Sequence, residues 1–251
     1  MRIVRPLVLI TLSALSFSAC QKDDIPFEEQ NKPVHRVKTY TETIHSSFLG
    51  DISETYNLSY DDNNRIASMI SADDPGNKFV FTYPNSTLFQ LDIYTDNAVV
   101  IHEDGFLNES KMLDSTFQYN DEGDTTTEKH FYNADKLVVK TNEYNYTTAG
   151  GSVLMDQTNY TYDSNKRLIE ESNSLGVTKY EYDGNVANTI DLYPVFFMQV
   201  KQLPSKTIYS SGGDETVTAI HTYTFDSMNR ITSDKSVLST GDEIIKSYTY
   251  Y

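Results

Sequence analysis

One cysteine, five histidines and thirty-six carboxylates are the side chains of this 251-residue chain with the most reactive chemistry. Thiol catalysis needs a thiolate beside a base, whereas Cys20 directly follows Phe17-Ser18-Ala19 at the end of an apolar run. Zinc sites need ligands at short fixed spacings, and His35, His45, His102, His130 and His221 show none. No histidine is expected beside a second ligand on its own strand. The stretches Asp61-Asp62-Asn63-Asn64 and Asp121-Glu122-Gly123-Asp124 carry oxygens suited to Ca²⁺, but neither keeps the loop spacing such a site requires. Ser210-Ser211-Gly212-Gly213 reads as a flexible hairpin tip and not as a phosphate loop. Neither a metal nor a cofactor is expected. Paired carboxylates can hydrolyse glycosidic bonds when a fold sets them on either side of the bond, and an acid-rich chain offers many accidental pairs.

The elements that would position such groups follow an export segment. Residues 1–19 begin with Arg2 and Arg5, continue through the apolar stretch 7–15 and end in small residues, which is the pattern of a signal peptide. The run is too short to span a bilayer permanently. A lone Cys20 at this place resembles the lipobox, where signal peptidase II cleaves before the cysteine and the thiol is acylated; Phe17 stands where Leu is usual. That resemblance implies a bilayer partner engaged through acylated Cys20, several acyl chains together holding where one would not. Gln21, Lys22, Asp23 and Asp24 resemble the lipoprotein export signal of Bacteroidota, which implies delivery to the outer face of the outer membrane. Residues 20–36, with Pro26, Glu28, Glu29 and Pro33, read as the lipidated cysteine and a flexible acidic linker.

From residue 37 a short pattern recurs. Tyr160-Thr161-Tyr162-Asp163-Ser164-Asn165-Lys166-Arg167-Leu168 has close copies in Leu58 to Ile66 and Tyr223 to Ile231. Weaker echoes lie at Phe117-Gln118-Tyr119-Asn120, Tyr144-Asn145-Tyr146 and Tyr248-Thr249-Tyr250. Side chains two apart share a strand face, so the aromatic pairs are expected to gather on one face and polar residues on the other. Asp61, Asp163 and Asp226 then end a strand by accepting bonds from turn amides. Asn64 and Asn229 stand where a three-residue loop favours left-handed backbone, and Lys166 is the exception. Arg65, Arg167 and Arg230 open the return strand, placed for an ion pair across the loop neck or for stacking on a tyrosine. The turn residues are thus Tyr60, Asp61, Arg65, Tyr162, Asp163, Arg167, Phe225, Asp226 and Arg230.

This motif resembles the YD, or RHS-type, repeat, whose usual form has Gly at the Asn64, Lys166 and Asn229 positions. The whole arrangement is similar to small surface lipoproteins of Bacteroidota with degenerate YD-like strands, and the stretch 201–206 before a Tyr-Thr-Phe-Asp hairpin resembles their C-terminal part. The resemblance implies a surface location and no particular activity.

With 19 Tyr, 12 Phe, no Trp and a net charge of −16, the composition fits a secreted β protein. Loss of Arg2 and Arg5 with the signal takes the charge to −18. Such a surface repels phosphate, so no nucleic acid is expected as partner. A single cysteine forms no disulfide within the chain, so residues 37–251 must be stabilised by one core. Sixteen strand-forming stretches separated by turn residues cover this domain, among them 98–102 and 115–119. The expected fold is all-β: an antiparallel meander, strongly curved from half-barrel to barrel-like, with an aromatic interior. A two-layer sandwich is the alternative.

The apolar run 192–198, with Tyr193, Phe196 and Phe197, reads either as a plug for an open sheet end or as a docking patch. The expected role is a non-enzymatic binding or adhesion module at the cell surface, with a glycan or protein ligand. A structural or accessory subunit of an outer-membrane complex is a second form. A polysaccharide hydrolase with carboxylates on the concave face is the rival class.

Overall fold

The computed structural model describes residues 36–48, 50–120, 125–146, 151–190, 192, 202–211 and 216–251. Its strands are β1 (Val37–Ser46), β2 (Gly50–Tyr60), β3 (Ile66–Ser71), β4 (Lys78–Asn85), β5 (Leu88–Thr95), β6 (Ala98–Leu107), β7 (Leu113–Asn120) and β8 (Thr125–Tyr132). They continue as β9 (Val138–Tyr146), β10 (Ser152–Tyr162), β11 (Leu168–Asn173), β12 (Gly176–Glu181), β13 (Lys206–Ser211), β14 (Thr216–Phe225), β15 (Ile231–Leu238) and β16 (Glu243–Tyr250). Each strand pairs antiparallel with the next, and β16 pairs with β1, so the meander closes into a barrel. Closure, and not a two-layer sandwich, is how this chain removes its free edges.

Strict alternation divides the wall. In β1, Tyr40, Glu42 and Ile44 turn inward, while Thr41, Thr43 and His45 turn outward to Thr55, Ser53 and Asp51 of β2. Tyr40, Leu58, Met69, Phe81, Leu91, Ile93, Ile231 and Tyr248 form a buried core along β1–β5 and β15–β16. Tyr40 stacks on Tyr248 and Tyr56, with ring centroids 5.6 and 6.4 Å apart. Two expected aromatic pairs lie on the other face. Phe117 and Tyr119, and Tyr144 and Tyr146, point outward, where Phe117 and Tyr146 approach to 5.9 Å between centroids. Period two fixes which residues share a face, but the register to the neighbouring strands decides which face is inside.

The hairpins entering β3, β11 and β15 share one turn. Asp163 Oδ1 accepts hydrogen bonds from the Asn165 and Arg167 amides at 2.8 and 2.9 Å, and Oδ2 accepts from Arg167 Nε at 2.7 Å. Asp61 and Asp226 repeat this with Arg65 and Arg230. Asn64, Lys166 and Asn229 sit at φ of 63°, 62° and 59°. Two further copies use asparagine: Asn108 caps Ser110 and Met112, and Asn133 caps Asp135 and Leu137. Their left-handed residues are Lys111 and Lys136, at φ 60° and 61°. A lysine at this strained position reaches the preceding turn on the rim. Lys166 Nζ pairs with Asp135 at 2.9 Å, and Lys111 Nζ donates to the Ser86 carbonyl at 3.1 Å.

A bulge follows each of these turns. Tyr162 opposes Leu168 but Thr161 opposes Glu170, which leaves Ile169 as the extra residue. The offset lets Leu168 and Glu171 both face inward although they are an odd number of residues apart. At the same rim, tyrosine hydroxyls donate to the carbonyl that opens the preceding strand. Tyr60 bonds Val37, Tyr83 bonds Ile66, Tyr132 bonds Leu113, Tyr162 bonds Val138, Tyr182 bonds Leu168 and Tyr250 bonds Ile231, at 2.5–2.9 Å. Arg65, Arg167 and Arg230 stack over Tyr83, Tyr182 and Tyr250. Phe225 lacks a hydroxyl, and Tyr223 bonds the Pro204 carbonyl instead. Described residues of the connection from β12 to β13 meet the core at this rim: Thr189 Oγ1 accepts from the Ile231 amide, and Leu192 is buried in the core with Ile190 and Leu203 packed beside it.

β6 runs through Leu107, beyond the expected end at His102, and β7 starts at Leu113. The stretch His102-Glu103-Asp104-Gly105 has the composition of a loop, yet it is a strand because Gly105 leaves room for the fully buried Phe89 ring. A Cβ on Gly105 would meet Phe89 Cε1 at 1.8 Å.

Gly105→Ala is therefore expected to destabilise the barrel by about 1–3 kcal/mol, read from denaturant unfolding. Asp163→Ala strips the turn of its cap and should cost about 1–2 kcal/mol, whereas Asp163→Asn should cost less than half of that, since Asn108 and Asn133 build the same turn. Equal losses for the two Asp163 variants would mean that the Arg167 pair, not the amide cap, holds the turn.

Candidate functional site in the barrel lumen

The largest buried cluster fills one side of the barrel. On the other side Leu113, Val138, Leu168 and Tyr180 are also buried, but between them a run of inward positions on β6–β11 is polar. Leu91, inside, pairs with Glu103, which pairs with Gln118, which pairs with Thr126, so this line of residues faces the lumen. Two residues on from Thr126 comes Glu128. Glu128 lies directly opposite Glu143, and Glu143 directly opposite Asp156. Three strands thus place carboxylates in one row, about 5 Å from one to the next. Tyr160, further along β10, pairs with Glu171, and the Tyr180 hydroxyl donates to Glu171 Oε2 at 3.1 Å.

Glu128 keeps 47% of its side-chain surface open although the wall surrounds it. That combination marks a cavity-lining group and not a packed one. Burial, and then the neighbouring Glu128, push the Glu103 carboxyl up to about 7, while the Gln118 amide hydrogen bond at 3.3 Å works against the rise. Burial and Glu143 raise Glu128 likewise to about 7. Both charges are set in a region of low polarity beside a like charge, which disfavours ionisation. His130 lies one inward position beyond Glu128. Its Nδ1 shares a hydrogen bond with Thr141 Oγ1 at 3.0 Å, and its buried Nε2 has no hydrogen-bond partner and points to Glu128 Oε2 at 3.8 Å. Burial lowers the His130 pKa to about 4, so the ring is neutral at physiological pH.

The opposite, outward face carries a second histidine cluster. His102 Nδ1 bonds Asp92 at 2.5 Å and its Nε2 faces Asp104 at 3.3 Å, with the Tyr119 ring 4.7 Å away. The expectation that no histidine stands beside a second ligand on its strand therefore fails for His102 with Asp104 and for His130 with Glu128. Alternation puts both partners two residues away, a spacing that does not read as a metal motif. Among the described residues, no three His, Asp or Glu side chains converge into a set that could hold a metal ion.

Of the residues singled out in the sequence, Tyr60, Asp61, Arg65, Tyr162, Asp163, Arg167, Phe225, Asp226 and Arg230 all lie at the tyrosine rim and none lines the acidic wall. Cys20, Gln21, Lys22, Asp23, Asp24, Tyr193, Phe196 and Phe197 lie outside the described residues. The lumen carboxylates were not singled out. The signal that could have found them is an acid at a strand's inward alternation, as in Thr126-Glu128-His130.

The fold is similar to that of porin-like proteins from Bacteroides. The structure of one from Bacteroides uniformis superposes with a TM-score of 0.64 at 14% identity, over 86% of this chain and 98% of that one. One from Bacteroides vulgatus gives 0.60 at 15% identity, over 86% and 99%. No protein-family model matches the sequence, and no curated protein matches it. The likeness is one of fold. In this chain the barrel interior combines a packed core with an acidic wall.

The raised carboxyls predict a pH dependence. In the unfolded chain Glu103 and Glu128 lose their protons near pH 4.5, whereas in the barrel they keep them to about 7. The folded state holds extra protons across that window, so their contribution to stability falls as pH rises through it and stays lost above. His130 acts oppositely, its contribution rising from about pH 4 to 6.5. The double variant Glu103→Gln/Glu128→Gln is expected to melt higher than the parent at pH 8, by on the order of 1 kcal/mol after allowing for solvent in the lumen. The gain should vanish at pH 4.5. A gain that persists at that pH would assign it to packing instead.

Proposed function

We propose that this chain is a surface lipoprotein of the outer membrane whose barrel stands in water, held by acylated Cys20, and acts as a binding module and not as a pore. The polarity of the wall carries this reading. A barrel that crosses lipid turns an apolar band outward between two aromatic girdles. Here Thr39, Thr41, Thr43, Ser53 and Thr55 stand outward, while Tyr40, Phe81 and Leu91 are buried within. The exposed apolar residues Phe106, Tyr119, Phe131, Tyr146, Leu154, Met155, Ile220 and Val237 lie on β6–β10 and β14–β15, and among the described residues no apolar band continues across the outward Thr and Ser of β1 and β2. The likeness to Bacteroides porin-like proteins supports the outer membrane as the location. The segment 1–24 supports the route there, with residues 20–36 as spacer.

The tether also meets the barrel at one rim. β1 starts at the tyrosine rim, where the Tyr251 amide donates to the Arg36 carbonyl. Anchoring through the preceding flexible residues attaches the chain at that rim and leaves the opposite rim free of the tether. Glu128, Glu143 and Asp156 lie between mid-wall and that free rim, so the acidic lumen is the surface offered to a glycan or protein ligand. A second reading follows from Glu103 and Glu128, since neighbouring carboxyls with pKa near 7 suit a carboxylate-based polysaccharide hydrolase. Release of reducing ends from a glycan by the full chain, lost in Glu128→Gln, would support that activity.

Cells given a fatty-acid probe should label the wild type and leave Cys20→Ala unlabelled. Replacing Lys22, Asp23 and Asp24 by Ala should protect the barrel from protease on intact cells, and the purified chain should give no stepwise conductance in planar bilayers. Equal labelling, unchanged protease access or porin-like current steps would each sink the corresponding part of the proposal.

A further inference from the structure

Among the described residues the inward acids of β6–β11 have no basic side-chain partner: Glu103 and Glu171 accept from the Gln118 amide and the Tyr180 hydroxyl, and Asp156 Oδ1 accepts from the Gln157 and Ser174 amides. Glu103, Glu128, Glu143, Asp156 and Glu171 face the lumen, whereas the lysines of the same wall alternate outward. Lys129 opposes outward Ser115, Lys140 lies over the outward Phe131 ring, and Lys179 reaches Glu170. Like charges directly opposite each other on adjacent strands destabilise a sheet, yet the row Glu128, Glu143, Asp156 sets three such groups side by side.

The one imidazole in the wall does not neutralise them. His130 is nine-tenths buried, its Nδ1 engaged by Thr141, and its ring is held neutral by burial. Its Nε2 is enclosed beside Glu128 with no hydrogen-bond partner. In the tautomer whose Nδ1 donates to Thr141, Nε2 is an enclosed acceptor that faces Glu128, and once that carboxyl ionises the two are acceptors with no donor between them. The wall therefore lacks what a row of ammonium groups would supply: positive charge and N–H donors repeated at the strand spacing of about 5 Å.

We infer that the acidic half of the lumen binds a ligand carrying spaced primary ammonium groups, of which a linear alkyl polyamine is the simplest member. The inference deepens the binding-module reading and rests on it. Tyr160 borders the acids and offers an apolar face to the methylene segments between amines, while the buried Tyr180 fixes Glu171 through its hydroxyl. Glu143, at the centre of the row, contacts the ligand through charge-assisted hydrogen bonds, and the flanking Glu128 and Asp156 set the spacing it selects.

Isothermal titration of spermidine into the full chain, purified in non-ionic detergent, is expected to show saturable binding. Glu143→Gln should weaken it roughly tenfold or more, as befits loss of a charge-assisted bond, while the outward control Glu170→Gln should leave it unchanged. Removing one of several facing like charges should leave Glu143→Gln at least as stable as the parent, so thermal melting separates lost binding from lost fold. A trilysine peptide serves as a second arm: binding there with the same variant response assigns the same ammonium chemistry to a peptide source. Absence of saturable binding by either probe, or equal binding by Glu143→Gln, overturns the inference. A neutral glycan that binds in their place and is lost in Glu143→Gln would overturn it while leaving the lumen as a binding site.

Discussion

Sixteen strands joined edge to edge enclose more space than side chains of ordinary size fill, which is why membrane barrels of that size surround a water channel. The enclosed volume is the constraint on which this structure depends. Along β1–β5 and β15–β16 it is filled by Tyr40, Leu58, Phe81, Ile231 and Tyr248, supported by Leu192 from the β12–β13 connection. Along β6–β11 Leu113, Val138 and Leu168 are buried too, but the run from Glu103 to Asp156 is polar, and Glu128 retains open surface there. The same closed sheet thus supplies a hydrophobic core and a lined cavity, and needs no second layer for either.

Rim order makes the closure possible. Antiparallel pairing leaves the strand ends to turns, and here one rim carries a repeated device: an Asp or Asn cap, a left-handed residue, a bulge and a tyrosine hydroxyl on the preceding strand's first carbonyl. Each part compensates a cost created by the others. The bulge re-aims the return strand so that Leu168 stays inside, and the tyrosine hydroxyl donates to the carbonyl at the preceding strand's start. The lysines at 111 and 166 occupy a backbone region that suits glycine, and their contacts to Ser86 and Asp135 link adjacent turns in return.

The lumen holds charges that work against stability. Glu103 and Glu128 stand inside the wall beside like charges, an arrangement that weakens the fold at neutral pH and that the Gln118 hydrogen bond to Glu103 offsets only in part. The tyrosine rim shows that this chain satisfies polar groups carefully where only architecture is at stake. The adjacent like charges and the unpartnered His130 Nε2 mark the part of the barrel that is least optimised for stability.

The sequence by itself determined the strands, the turns and the all-β class, because period-two alternation and Asp-to-Arg spacing are local properties that survive without neighbours. It was also enough to place Asp61, Asp163 and Asp226 at strand ends. It did not distinguish the Asn108 and Asn133 turns, where the cap is an amide and the arginine is absent. Only tertiary structure decided which face of each strand is inside: Phe117, Tyr119, Tyr144 and Tyr146 look like core in the sequence and stand outside, while Glu103 looks like loop and lines the lumen. Pairing register carries that information, because a strand's side is fixed by partners far away in the chain, and closure of β16 on β1 alone turns a polar stripe into the wall of a cavity.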